Sequence, residues 1–268
     1  MPNLVSTTVR QGLYTHIVGR RIFYYPELKS TMDEAARLAG EGAEEGAIVI
    51  AERQSAGRGR QGRSWVSHPG NLLLSVLFRP EMAHLPFINI IGGVAAARAV
   101  RKTTGLAPRI KWPNDLMLDG RKAAGILAES AIVGDSVCYA VLGIGINVAL
   151  NPAESEGITS LHPELVEGAT SVNAAAGREV GREPLLRQLL LDLDDLYISL
   201  RRGLSPLPEW RGLLETTGRR VEATFGKETY AGIAEDVDDT GNLLLRLDDG
   251  RLITLTAGDV TLSGTGQS

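Results

Sequence analysis

Apolar positions along this chain recur at a spacing that switches between two and about three to four residues, and each switch delimits an element. The β-branched and aromatic run RIFYYP at 21–26 predicts a strand that Pro26 stops. A helix over 32–39 follows, opened by Ser30 and Asp33 as an S-x-x-D capping box and closed by Gly40. Strands are expected at 47–51 and 71–78, and helical spacing returns over 88–104 until Gly105 ends it. Beyond that point the chain reads as short strands on tight turns. They fall at 109–112, then, after a turn at 113–115, at 116–118, and, after the hairpin dipeptide Asp119-Gly120, at 124–130 and 137–148. Adjacent strands joined this way predict an α+β fold, a mixed or mainly antiparallel sheet with packed helices, rather than a doubly wound parallel sheet.

Periodicity then weakens. Residues 151–181, rich in Gly, Ala, Ser and Glu, are expected to form a variable loop with a weak helix within 164–176. An amphipathic helix over 183–202, with Pro184 near its start and Gly203 after its end, precedes a second helix at 208–217. From Gly218 the pattern alternates, with strands at 220–225, 229–237, 243–247 and 252–256 separated by turns at Gly226, 239–242 and 248–250. That is the pattern of a small SH3-like β-barrel, so the chain is expected to divide into 1–217 and 218–268.

Composition narrows the function classes. With 268 residues, 43% of them hydrophobic, the chain can bury a full core and carry a small second domain. The net charge of −4 counts against a generic nucleic-acid binder, so any basic site is local. Cys138, the single cysteine, has no disulfide partner within the chain, and the four histidines lack zinc-ligand spacing. No apolar run approaches the roughly twenty residues of a membrane span, and the N-terminus MPNLVSTTVR lacks the order of a secretion signal, which points to the cytoplasm.

Four segments carry chemistry. The run Gly57-Arg58-Gly59-Arg60-Gln61-Gly62-Arg63 is flexible and positive, with no acid inside it. Arginine forks suit phosphates. A solvated basic loop and an RGG-like nucleic-acid segment are the other readings of that run. In Lys111-Trp112-Pro113-Asn114-Asp115, Pro113 holds Trp112 extended and the chain then turns. This presents Lys111 toward phosphate and Asp115 toward Mg²⁺, or else an Asx-capped turn with Trp112 in the core. Lys122 leads into the apolar run AAGIL, at a pocket mouth or simply exposed. Gly143 and Gly145 interrupt the strand GIGINV, which calls for the close approach of a ligand or backbone, or for a bulge, with Asn147 at the strand end.

Together and in this order, Lys29-Ser30-Thr31, Gln54, GRGRQGR, KWPND, RKAAGIL and GIGINV resemble the motifs of biotin protein ligases. The resemblance spans about residues 22–150 and the β-rich tail. It implies the class II synthetase-like catalytic fold of biotinyl and lipoyl ligases followed by an SH3-like barrel. It also implies an enzyme that makes biotinyl-5′-AMP from biotin and ATP with Mg²⁺, then passes biotin to one lysine of a partner. That partner would be the biotin carboxyl carrier protein domain of a biotin-dependent carboxylase, and the enzyme a monomer or homodimer. Ser30, Thr31, Met32, Gln54, Gly57, Arg58, Gly59, Arg60 and Lys122 would form the biotin site. Arg58, Arg60, Arg63, Trp65, Lys111, Asn114, Asp115, Lys122 and Asn147 would meet the nucleotide, Asp115 would hold the metal, and Lys122, Arg58 and Arg60 would carry catalysis.

Three features depart from the family pattern. Met32 replaces the asparagine common after the Ser-Thr pair, Gln61 stands where a further arginine is common, and the stretch before Arg21 is shorter than a repressor's helix-turn-helix. Binding to DNA is therefore not expected. Lipoate ligases and octanoyltransferases share the implied fold, but an octanoyltransferase needs a nucleophilic cysteine, and Cys138 in the strand VCYAVL is expected to be an inert core residue. A non-catalytic binding module is the alternative from another class.

Overall fold

The computed structural model describes residues 9, 12–150, 168–226, 228–256 and 258–262. Its larger sheet has the strand order β1-β2-β3-β7-β6-β5-β4. These strands are β1 Ile22–Leu28, β2 Ile48–Gln54, β3 Leu72–Phe78, β4 Arg109–Lys111, β5 Asp115–Leu118, β6 Arg121–Val133 and β7 Ser136–Ile146. Only β1 and β2 pair in parallel; the other neighbours are antiparallel, as hairpin connections dictate. Pro26 does not stop β1, contrary to the expectation. An edge strand tolerates a residue that cannot donate to the ladder, and β1 is the edge.

Helices cover both faces of the sheet, and the strand pleat sorts side chains between them. On one face α1, Thr31–Gly40, packs Met32, Ala35, Leu38 and Ala39 against Val49, Leu77 and Val141. Half of the expected capping box forms: Ser30 Oγ accepts the N–H of Met32 at 3.2 Å and of Asp33 at 3.4 Å, while the Asp33 carboxylate pairs with Arg58 instead of closing the box. On the other face lies α2, Phe87–Thr104, ended by Gly105 in the left-handed conformation. Its small residues permit close approach: a Cβ on Gly92 would come within 2.9 Å of Ile126 and Leu142. The long α4, Arg182–Arg201, packs on α2, and Asp194 of α4 anchors the N-terminal segment by accepting the N–H groups of His16, Ile17 and Val18 at 2.7–2.9 Å. Between them in sequence, α3 at Val172–Ala176 falls within the span where a weak helix is expected but starts at an extended Ser171, with Ala169 bridged to Lys122, so the described part of 164–176 is not one helix; residues 151–167 lie outside the described residues.

After α5, Leu207–Leu213, the chain forms a second, antiparallel sheet of order β11-β10-β9-β8-β12. Its strands are β8 Arg220–Phe225, β9 Glu228–Val237, β10 Leu243–Leu247, β11 Leu252–Leu255 and β12 Asp259–Leu262, the last not anticipated from sequence. Val221, Ala223, Ala234, Leu243 and Leu245 join the same apolar cluster as α2 and α4. Trp112 links the two sheets directly, its Nε1 donating to Gly241 O at 2.9 Å.

Cys138 is exposed, which corrects the core assignment. Strand alternation puts it on the surface of the outer half of the β6–β7 hairpin, where Ile132, Val133 and Ser136 are exposed as well.

Candidate active site

A cavity of about 430 Å³ lies on the α1 face of the sheet, within the size range of small-molecule sites. Its lining includes the N-terminus of α1, the loop after β2, and the central strands β6 and β7. Every residue that the family resemblance assigns to the site lines it except Gly57 and Lys111. Gly57 lines an adjoining groove. Lys111 is the register partner of Asp115 but does not reach the cavity, so the structure does not place it on a phosphate.

The basic loop is a folded-back hairpin. Arg58 bridges Ser64, Gly59 N donates to Arg63 O at 2.7 Å, and Trp65 N donates to Gly57 O at 2.9 Å. Gly57 is required there, because a Cβ would sit 2.6 Å from Trp65 O. Each of its first two arginines is already committed. Arg58 is ion-paired to Asp33 and Glu129. Partial burial works against its charge, but its hydrogen bonds to both carboxylates prevail and hold its pKa above the usual value. Arg60 donates to Asn114 Oδ1 at 3.2 Å and to Gly258 O at 3.1 Å, which brings the C-terminal sheet to the rim of the cavity.

One end of the cavity is polar and buried. Ser30 and Thr31 are buried, Thr31 N donates to Gln54 Oε1 at 2.7 Å, and Ser75 Oγ donates to Thr31 Oγ1 at 2.8 Å. The floor is glycine. No bulge occurs at Gly143 or Gly145, whose pairing with β3 and β6 runs in unbroken register. What comes close are side chains: a Cβ at Gly143 would lie 2.7 Å from Met32 Sδ, and one at Gly145 2.6 Å from the Trp65 indole. That indole also lies over Gly125, and its buried Nε1 has no hydrogen-bond partner.

Lys122 stands at the opposite side, its Nζ 2.6 Å from Asp115 Oδ1 and 5.7 Å from the centre of the Trp65 ring. The KWPND turn, whose Trp112–Pro113 bond is cis, buries Trp112 and fixes Asn114 through Nδ2 to Ile126 O at 2.9 Å. Asn147 accepts from buried Asn71 Nδ2 at 3.1 Å, while Asn71 Oδ1 accepts Val148 N. Asp115 is the one carboxylate lining the cavity among the described residues, and these contain no cluster of three metal-ligating side chains.

The sequence points to Asp33 only as a cap and gives Glu129 and Gly258 no place in the site. Period-two alternation puts Gly125, Leu127 and Glu129 on one face of β6, a signal that could have found Glu129. The contacts of Asp33 and Gly258 are purely tertiary.

Sheet, helices and cationic cavity define a class of enzyme that sequence comparison identifies. A sequence model described as the Biotin/lipoate A/B protein ligase family matches residues 24–147, and the chain belongs to that family. A second, described as the Biotin protein ligase C terminal domain, matches residues 216–263. The chain's relatives are ligases, several of them named for biotin. Over 244 residues the chain is 35% identical to the biotin–[acetyl-CoA-carboxylase] ligase of Paracoccus denitrificans, covering 88% of this chain and 98% of that one. Over 252 residues it is 33% identical to the bifunctional ligase/repressor BirA of Bacillus subtilis, covering 92% of this chain and 76% of that one. In fold it is similar to the biotin protein ligase from Aquifex aeolicus solved with biotin and ATP, with a TM-score of 0.75 at 24% identity, covering 91% and 99% of the two chains.

Proposed function

We propose that the protein is an ATP-dependent biotin protein ligase acting on one lysine of a biotin carboxyl carrier domain. The observation that carries this reading is a single cavity joining a buried polar end at Ser30 and Thr31, a glycine floor, and a cationic rim of Arg58, Arg60 and Lys122. The bicyclic head of biotin fits the buried polar end, and its carboxylate then faces the cations. A carboxylate oxygen attacks the α-phosphorus of ATP, the bond to the bridging oxygen breaks, and pyrophosphate leaves. The carrier amine next attacks the acyl carbon of biotinyl-5′-AMP, AMP departs, and the amine loses its proton. No enzyme nucleophile is needed, and the exposed Cys138 does not line the cavity.

Positioning and charge supply the catalysis. Lys122, Arg58 and Arg60 would meet the phosphate and the biotinyl carboxylate, and Trp65, Arg63, Asn114 and Asn147 the rest of the nucleotide. Mg²⁺ needs only one or two protein carboxylates when substrate phosphates complete its shell, so Asp115 fits as its protein ligand. When bound, the ion would offset charge on the leaving pyrophosphate. Residues 1–217 would handle substrate, with 218–268 as a supporting β domain, and the reaction would run in the cytoplasm.

Purified protein given biotin, ATP, Mg²⁺ and a carrier domain should release pyrophosphate and add one biotin to one carrier lysine. Lipoate or octanoate in place of biotin should give neither. Pyrophosphate release independent of biotin, or an unmodified carrier, would refute the proposal.

A further inference from the structure

The reaction brings a phosphate anion to cations that already have partners. Lys122 is paired with Asp115. Arg58 stands between the cavity and the adjoining groove, its guanidinium spanned between Asp33 in the first turn of α1 and Glu129 on β6. Neither carboxylate lines the cavity, and Glu129 lines the groove beside it. Two carboxylates around one guanidinium leave an excess of negative charge, which repels a phosphate instead of attracting it. Giving up a carboxylate to the solvent as a phosphate oxygen takes its place removes that repulsion, so exchange is the favoured way for Arg58 to serve the adenylate.

We propose that Asp33 and Glu129 are positioning residues that hold Arg58 at the rim between cavity and groove and yield it to the adenylate phosphate. This rests on the ligase reading. All three side chains are roughly half exposed, so each ion pair is weak and the exchange is close to balanced. Neutralising one carboxylate then shifts Arg58 toward the phosphate. The geometry also explains why the two acids come from different elements: α1 and β6 flank the loop, and a guanidinium between them docks the loop against both. Release of Arg58 by the adenylate thus loosens its hold on α1 and β6 as it gains one on the ligand.

The test measures dissociation of biotinyl-5′-adenylate from the full-length protein by chase with unlabelled adenylate. Glu129→Gln should slow it about two- to fivefold, the scale of an exposed ion pair. Asp33→Asn should act in the same direction, and Glu129→Asp, which keeps the charge, should stay near wild type. In an Arg58→Gln background the Glu129→Gln effect should vanish, since Glu129 acts through Arg58. Unchanged or faster dissociation in Glu129→Gln would overturn the exchange, the latter by showing that the pair persists and aims Arg58 at the ligand. Equal slowing in the Arg58→Gln background would overturn it too, as a general charge effect. Failure of the ligase reading looks different: wild type then releases no pyrophosphate when biotin and ATP are supplied together.

Discussion

One extra residue in β6 decides what Lys122 can touch. The β5–β6 register pairs Leu116 with Ala124 but Met117 with Lys122, which leaves Ala123 as a bulge, and Lys122 Nζ reaches Asp115. Bulges re-aim side chains, and this one turns an ordinary strand-start lysine into a cavity residue. Lys122→Met should therefore leave the fold intact and cut biotin-dependent pyrophosphate release by about 2–4 kcal/mol of transition-state stabilisation. An unchanged rate would remove Lys122 from the chemistry. At this same scale the sequence showed the residue types and hid their partners. The arginines of the basic loop are visible in any reading, whereas their engagement with Asp33, Glu129, Asn114 and Gly258 depends on elements far away in the chain.

At the scale of elements, α2 and α5 are joined by Arg98, which donates to Glu209 through Nε at 2.9 Å and Nη2 at 2.5 Å. The Arg98 hydrogen bonds hold the Glu209 carboxyl below its usual range, against the opposing effect of burial. A carboxyl whose pKa is lowered by folding stabilises the fold fully above its unfolded value, about 4.3, and loses that contribution as pH falls through the folded one. Glu209→Gln should thus cost about 0.5–1 kcal/mol at neutral pH, allowing for solvent screening, and nothing once both forms are protonated. Urea unfolding of both proteins at pH 7 and at pH 3 checks this, and an equal deficit at the two values would contradict it. Most elements were legible because alternation and capping are local: Ser30 and Gly105 bound their helices as expected. Pro26 and Cys138 were misread because an edge position and an uncovered hairpin end are properties of the sheet, not of the strand.

Across the whole molecule, the two sheets share one apolar cluster and a hydrogen-bonded contact at Trp112, whose backbone N also donates to Thr216 Oγ1 at 2.9 Å. They should unfold together. Trp112→Phe would remove the hydrogen bond to the part-buried Gly241 carbonyl, which costs about 1 kcal/mol. Circular dichroism and calorimetry should still show one transition, moved to lower temperature. Two separated transitions, in wild type or variant, would mean that the C-terminal sheet is an independent unit.

By itself the sequence determined the α+β class, the alternating tail, and the family, because hydrophobic period, turn dipeptides and ordered motifs are written in neighbouring residues. Tertiary structure alone decided that Met32 and Trp65 fill the space above Gly143 and Gly145, that Lys111 misses the cavity, and that Gly258 reaches Arg60. The reason is physical: strand spacing tells which face a side chain takes, but only the packing of sheet, helix and second sheet brings residues two hundred positions apart within hydrogen-bond reach.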